Sequence, residues 1–105
     1  MDKTFSERVV EATLSIPPGR VVTYGDIARV CGAGPMAAQS ITTILGRAYN
    51  NGITNIPWHR IVYSGGKIWT SHEHHEHRMK LYRKEGIKVN KKGYIQNFNT
   101  LRYEF

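Results

Sequence analysis

At 105 residues and 40 % hydrophobic content, the chain carries apolar side chains for one modest core and too few for two domains. Its 15 Lys and Arg outnumber 8 Asp and Glu, giving a formal charge of +7. That balance favours a polyanionic partner through phosphate contacts and counterion release, the alternative being a merely solvated basic surface. The single cysteine, Cys31, excludes an intramolecular disulfide and a cysteine-based metal site. No charged-then-apolar leader and no long apolar run is present, so a cytoplasmic location without membrane contact is the expectation.

Thr4-Phe5-Ser6-Glu7 reads as a capping box, and Phe5, Val9, Ala12 and Ile16 then recur at helical spacing. Pro17-Pro18-Gly19 stops that helix, and Arg20-Val21-Val22 is a short extended piece. Thr23 caps a second helix with Asp26 in its first turn, running through Ile27, Ala28 and Val30 to Gly32. Gly32-Ala33-Gly34-Pro35 is a turn, with Pro35 suited to the first turn of the next helix. From Met36 onward, Ala37, Ile41, Ile44, Leu45 and Ala48 mark its buried face, and Ala38, Gln39, Ser40, Thr42 and Thr43 fall largely on the other. Helix, glycine turn and second helix with a small polar face form a helix-turn-helix pattern.

Asn50-Asn51-Gly52 is a turn leading to the loop at Trp58, and Ser64-Gly65-Gly66 is another, followed by a short strand or loop at Lys67-Ile68-Trp69. Thr70-Ser71-His72-Glu73 resembles a further capping box, opening a helix that carries Met79, Leu81 and Tyr82 and closes at Gly86. Ile87-Lys88-Val89 and Tyr94-Ile95, flanking Lys91-Lys92-Gly93, suggest a small hairpin. The expectation is one domain over residues 1–105, mainly α with small β elements, winged helix-turn-helix-like.

The stretch Pro57-Trp58-His59-Arg60-Ile61-Val62 resembles the active-site motif of the O6-alkylguanine-DNA alkyltransferases, in which a cysteine stands where this chain has Trp58. A thiolate attacks an electrophilic carbon through its lone pair, whereas the indole N–H is only a donor. Four further segments line up in order with that family's C-terminal domain and with its cysteine-less relatives, the alkyltransferase-like proteins. They are Ile16-Pro17-Pro18-Gly19-Arg20-Val21, Thr23-Tyr24-Gly25-Asp26-Ile27-Ala28, Ala37-Ala38-Gln39 and Glu85-Gly86, with a weaker echo in Leu101-Arg102-Tyr103.

The resemblance implies a protein that recognises O6-alkylguanine in double-stranded DNA without repairing it and marks it for nucleotide excision repair proteins. It implies minor-groove binding and rotation of the damaged nucleotide into a pocket, a step that costs least at damaged bases. It gives Ala37, Ala38 and the neighbouring Ser40 to the groove-facing helix, Tyr24 to rotation of the nucleotide at its 3′ phosphate, and Trp58 to the pocket wall. His59 and Glu85 match residues that activate the cysteine in the alkyltransferases; without a thiol they are expected to form a structural hydrogen-bonded pair, with Arg60 holding the loop. No catalytic residue, cofactor or metal is implied, and a monomer is expected, cytoplasmic and nucleoid-associated when bound to DNA. Two departures stand out. Gln39 replaces the arginine that fills the vacated base position, and Ser71 occupies a position that in some relatives is an arginine reading the modified oxygen.

Other readings compete. His72 and His75, and likewise His74 and His77, stand at i, i+3 and could share a metal, but no convincing further ligand set is visible. Cys31 as the nucleophile of an active alkyltransferase would lie outside the motif. A helix-turn-helix regulator that reads sequence, or binds DNA without lesion preference, would need base-edge contacts that Gln39, Ser40 and threonines supply only thinly.

Overall fold

The computed structural model describes residues 3–69, 71 and 73–105. Helix α1 (Phe5–Leu14) starts where the Thr4 side chain accepts the Glu7 N–H, and its C-cap is Ser15, two residues before the first proline. Strand β1 (Val22–Thr23) passes directly into α2 (Tyr24–Val30), and Thr23 and Asp26 form a reciprocal capping box there. A 3₁₀ turn (Pro35–Ala37) leads into α3 (Ala38–Asn50), which buries Ile41, Leu45 and Ala48 as its periodicity predicts. A second 3₁₀ turn (Trp58–Arg60) precedes β2 (Ile61–Val62) and a third covers Ser64–Gly66. Helices α4 (His75–Lys84) and α5 (Phe98–Leu101) complete the elements.

β1 and β2 pair in parallel, Val22 with Ile61 and Thr23 with Val62. Because successive strand residues point to opposite faces, this short ribbon divides the interior in two. Val22 and Ile61 enter a core with Val9, Ile27, Ile41 and Leu45, where α1, α2 and α3 meet. Val21 and Val62 enter a second core with Ile68, Tyr82, Ile87 and Ile95. The expected C-terminal hairpin is present as antiparallel bridges Val89–Ile95 and Lys67–Tyr94, which also draw the 67–68 segment onto its edge. The domain is therefore mainly α with small β elements, a winged helix-turn-helix.

Three local expectations change. The extended segment pairs at Val22–Thr23, with Val21 bridged to Arg102 of the C-terminal segment. Helix α4 starts at His75 rather than within 70–73: His74 is its N-cap and makes no side-chain cap bond. Ser71 Oγ instead accepts the His74 N–H at 3.4 Å, while Thr70 and His72 of the expected capping box lie outside the described residues. Val30, expected on the apolar run of α2, is 47 % exposed at the helix end.

Candidate nucleic-acid interface

The strand ribbon decides what meets at the site. In parallel strands the residues that follow Thr23 and Val62 emerge side by side, so Tyr24 and Tyr63 stack with centroids 5.7 Å apart. The Trp58–Arg60 turn precedes the same strand. Together they border a cleft of about 650 Å³, completed by Thr42, Tyr49 and Thr54 on one side and Trp69, His74, His77, Arg78 and Leu81 on the other. That volume lies within the range of ligand-binding clefts. Trp58 is half-buried in its wall.

Behind Trp58 the loop is anchored by one carboxylate. Glu85, at the C-cap of α4, accepts from His59 Nε2 at 2.5 Å, Arg60 Nη2 at 2.8 Å and the Gly19 N–H at 2.8 Å. Arg60 also donates through Nη1 to the Ile16 carbonyl at 3.0 Å, tying the motif loop to the Ile16–Gly19 segment. Burial alone would raise the Glu85 pKa, but the bonds from Arg60, Gly19 and His59 outweigh it and hold the carboxyl at about 2. Burial lowers the His59 pKa despite the pull of Glu85, so a neutral imidazole donates Nε2–H to the carboxylate. Gly19 sits at φ 83°, a conformation that lets its N–H turn toward Glu85.

A second buried carboxylate, Asp26, steadies the start of α2 beside Tyr24. It accepts the Thr23 N–H, Arg29 Nη2 at 3.0 Å, and a bidentate pair from Arg102 at 2.6 and 2.9 Å. Burial would raise its pKa, and the Arg102 and Thr23 bonds bring it down to about 2. Tyr24, half-buried, borders both the main cleft and a shallower one lined by Ala38, Asp26, Arg29, Ser64 and Arg102.

Of the residues singled out in the sequence, Tyr24, Trp58 and His59 meet at the cleft, with Arg60 and Glu85 directly behind it. Ala37 and Ala38 are half-buried at the start of α3, and Gln39 and Ser40 are exposed on it, outside the cleft. Ser71 is also not among the lining residues; its hydroxyl is turned to the His74 N–H. Cys31 is 4 % exposed in the helical core, and burial raises its pKa, so its thiol is away from the cleft. Sequence reasoning missed Tyr63, Trp69, Arg78 and Arg102. The only hints were the unexplained aromatics near the motif and the faint Leu101-Arg102-Tyr103 echo.

These features define a class: a winged helix-turn-helix domain whose second helix borders an aromatic cleft. The sequence model of the family described as 6-O-methylguanine DNA methyltransferase, DNA binding domain, matches residues 4–87. The chain belongs to this family. It is similar to the DNA base-flipping protein of Escherichia coli (strain K12), 32% identical over 94 residues that cover 90% of this chain and 70% of that protein. It also resembles Alkyltransferase-like protein 1 of Schizosaccharomyces pombe, 38% identical over 64 residues, or 61% of this chain and 56% of that one. The fold matches the crystal structure of S. pombe Atl1 in complex with damaged DNA containing O6-carboxymethylguanine, with TM-score 0.74 and 27% identity over 96% of this chain and 95% of that chain.

Proposed function

We propose that this chain is a non-enzymatic DNA-binding protein that recognises O6-alkylguanine through the minor groove and holds the flipped nucleotide in the cleft at Trp58. The observation that carries this reading is Trp58 itself: the His59–Glu85–Arg60 frame that positions its loop is intact, and position 58 offers an aromatic wall in place of a nucleophile. An indole face packs against a base or an alkyl group but forms no bond to carbon. The relatives support the same reading, one being named a DNA base-flipping protein and another having been crystallised on damaged DNA.

In this scheme α3 lies in the groove with Ala37 and Ala38 allowing close approach, Gln39 stands at the vacated base position and Ser40 beside it. Tyr24 crowds the phosphate of the rotating nucleotide, and Ser71 lies in the loop over the modified guanine. His59, Arg60 and Glu85 keep the cleft wall rigid. Flipping costs a few kcal/mol and costs least where pairing is already weakened, which is one source of lesion preference. The protein acts as a monomer in the cytoplasm, at the nucleoid when bound, and hands the marked lesion to nucleotide excision repair proteins.

Titration of duplexes containing O6-methylguanine or plain guanine, with transfer of labelled alkyl assayed in parallel, tests the reading. Tighter binding of the lesion with no label on the protein is expected. Equal affinities would make it a helix-turn-helix binder without lesion preference, and stoichiometric labelling would make it an enzyme.

A further inference from the structure

One wall of the cleft has a chemistry that flipping of a neutral base does not use. Among the described residues its lining holds no carboxylate, while His74, His77 and Arg78 approach it from the first turns of α4. Arg78 stacks over the Trp69 ring at 5.1 Å and has no ion-pair partner among the described residues. It lines the same cleft as Tyr24, Tyr63 and His59. Beside it the Tyr82 hydroxyl is fully buried without a well-formed hydrogen bond. His74, the N-cap of α4, borders the same space and makes no side-chain cap bond to the first turn. Glu73 stands 4.0 Å from His74 and is 86 % exposed, and Glu85, behind the His59 wall, is already engaged by His59, Arg60 and Gly19.

A partly buried guanidinium over an indole ring, with no carboxylate partner among the described residues, can receive a planar anion. We propose that this wall selects lesions whose O6 substituent carries a carboxylate, with Arg78 as the ion-pair partner and residue that determines specificity. The inference rests on the proposed function, since it assumes that the flipped base enters this cleft with its O6 arm toward α4. A backbone phosphate is the other anion that Arg78 could meet, and it differs in being present on every duplex.

The test compares three duplexes of one sequence, containing O6-carboxymethylguanine, O6-propylguanine or guanine, each titrated at about 0.15 M salt with the native chain, Arg78→Gln and Arg78→Lys. A charge-assisted pair in a screened cleft corresponds to a preference of about tenfold for the carboxymethyl over the propyl lesion. Arg78→Gln should abolish that preference while still binding the propyl lesion better than guanine, which also shows that the variant is folded. Arg78→Lys should keep part of it. Equal native affinities for the two lesions overturn the inference and leave lesion recognition standing. So does an Arg78→Gln loss equal on all three duplexes, which would place Arg78 on the phosphate backbone. A native chain that separates neither lesion from guanine overturns both.

Discussion

Trp58 and Glu85 divide the site between contact and support. Trp58 faces the cleft, so Trp58→Ala removes aromatic packing from a flipped base; such stacking is worth about 1–3 kcal/mol. The expected result is about a tenfold or greater loss of affinity for an O6-methylguanine duplex with plain duplex affinity unchanged, read by anisotropy titration. Gln39→Arg tests the groove helix separately. A guanidinium can stack in the vacated base position and glutamine cannot, so this substitution should tighten lesion binding; unchanged or weaker affinity removes Gln39 from that role.

Glu85 and Asp26 make stability depend on acid. Each titrates at about 2 in the folded chain, against 4.5 and 3.8 ordinarily. Below the ordinary values the unfolded chain binds protons that the folded chain does not, so the carboxylates' contribution is complete above about pH 5 and declines toward pH 2. At about 1.4 kcal/mol per pKa unit, each carboxylate accounts for roughly 2–4 kcal/mol, Glu85 for the larger share. His59 adds a loss of the same sign, since its folded pKa is lowered and the unfolded imidazole protonates first as pH falls through its ordinary range. Urea unfolding midpoints at pH 7, 5 and 3 should fall most between 5 and 3, and Glu85→Gln should flatten that segment. A flat native profile would mean that neither carboxylate is held as described.

At the scale of elements, α2 depends on contacts that its seven residues could not supply alone. An isolated helix of that length is not stable in water. The Thr23–Asp26 capping box satisfies its first N–H groups, and Arg102 clamps Asp26 from the C-terminal segment. Thr23→Ala should therefore cost about 1 kcal/mol in chemical unfolding. The wing depends on a different device. Gly66 at φ 91° receives the Ile95 N–H on its carbonyl, and a Cβ there would stand 2.9 Å from Phe98 Cγ. Gly66→Ala meets both strain and a ring, so a loss of about 1–3 kcal/mol is expected. A variant as stable as the native chain would show that the wing can shift away from α5.

Across the whole molecule, charge and cleft act on different quantities. The excess of cations sets attraction to any duplex, because counterion release does not depend on the base. In the proposed function the cleft sets the difference between a damaged and an undamaged site. Raising salt from 50 to 200 mM should lower affinity for O6-methylguanine and guanine duplexes in parallel, leaving their ratio constant. A ratio that shrinks with salt would mean that part of the lesion preference is electrostatic.

Much of this was legible locally. The Thr4 and Thr23 caps, the buried face at Ile41, Leu45 and Ala48, and the turns at Gly19 and Gly52 follow from hydrogen bonds and periodicities that span a few residues. The start of α4 was not legible, because Thr70-Ser71-His72-Glu73 reads as a capping box, whereas the helix begins at His75 behind His74, an N-cap that makes no side-chain cap bond. The chain order of residues also named Trp58 and its frame, since a motif of adjacent residues survives without a fold. The cleft itself is a tertiary product. Asp26 meets Arg102 across 76 residues and Glu85 meets Gly19 across 66, distances over which no local pattern reports a partner. Tyr24 and Tyr63 meet only because β1 and β2 pair in parallel and in one register. Arg78 reaches the same space only because Tyr82 packs α4 into the second core. Residue types and spacing decide what each segment can do; chain return and the direction of strand pairing decide which segments do it together.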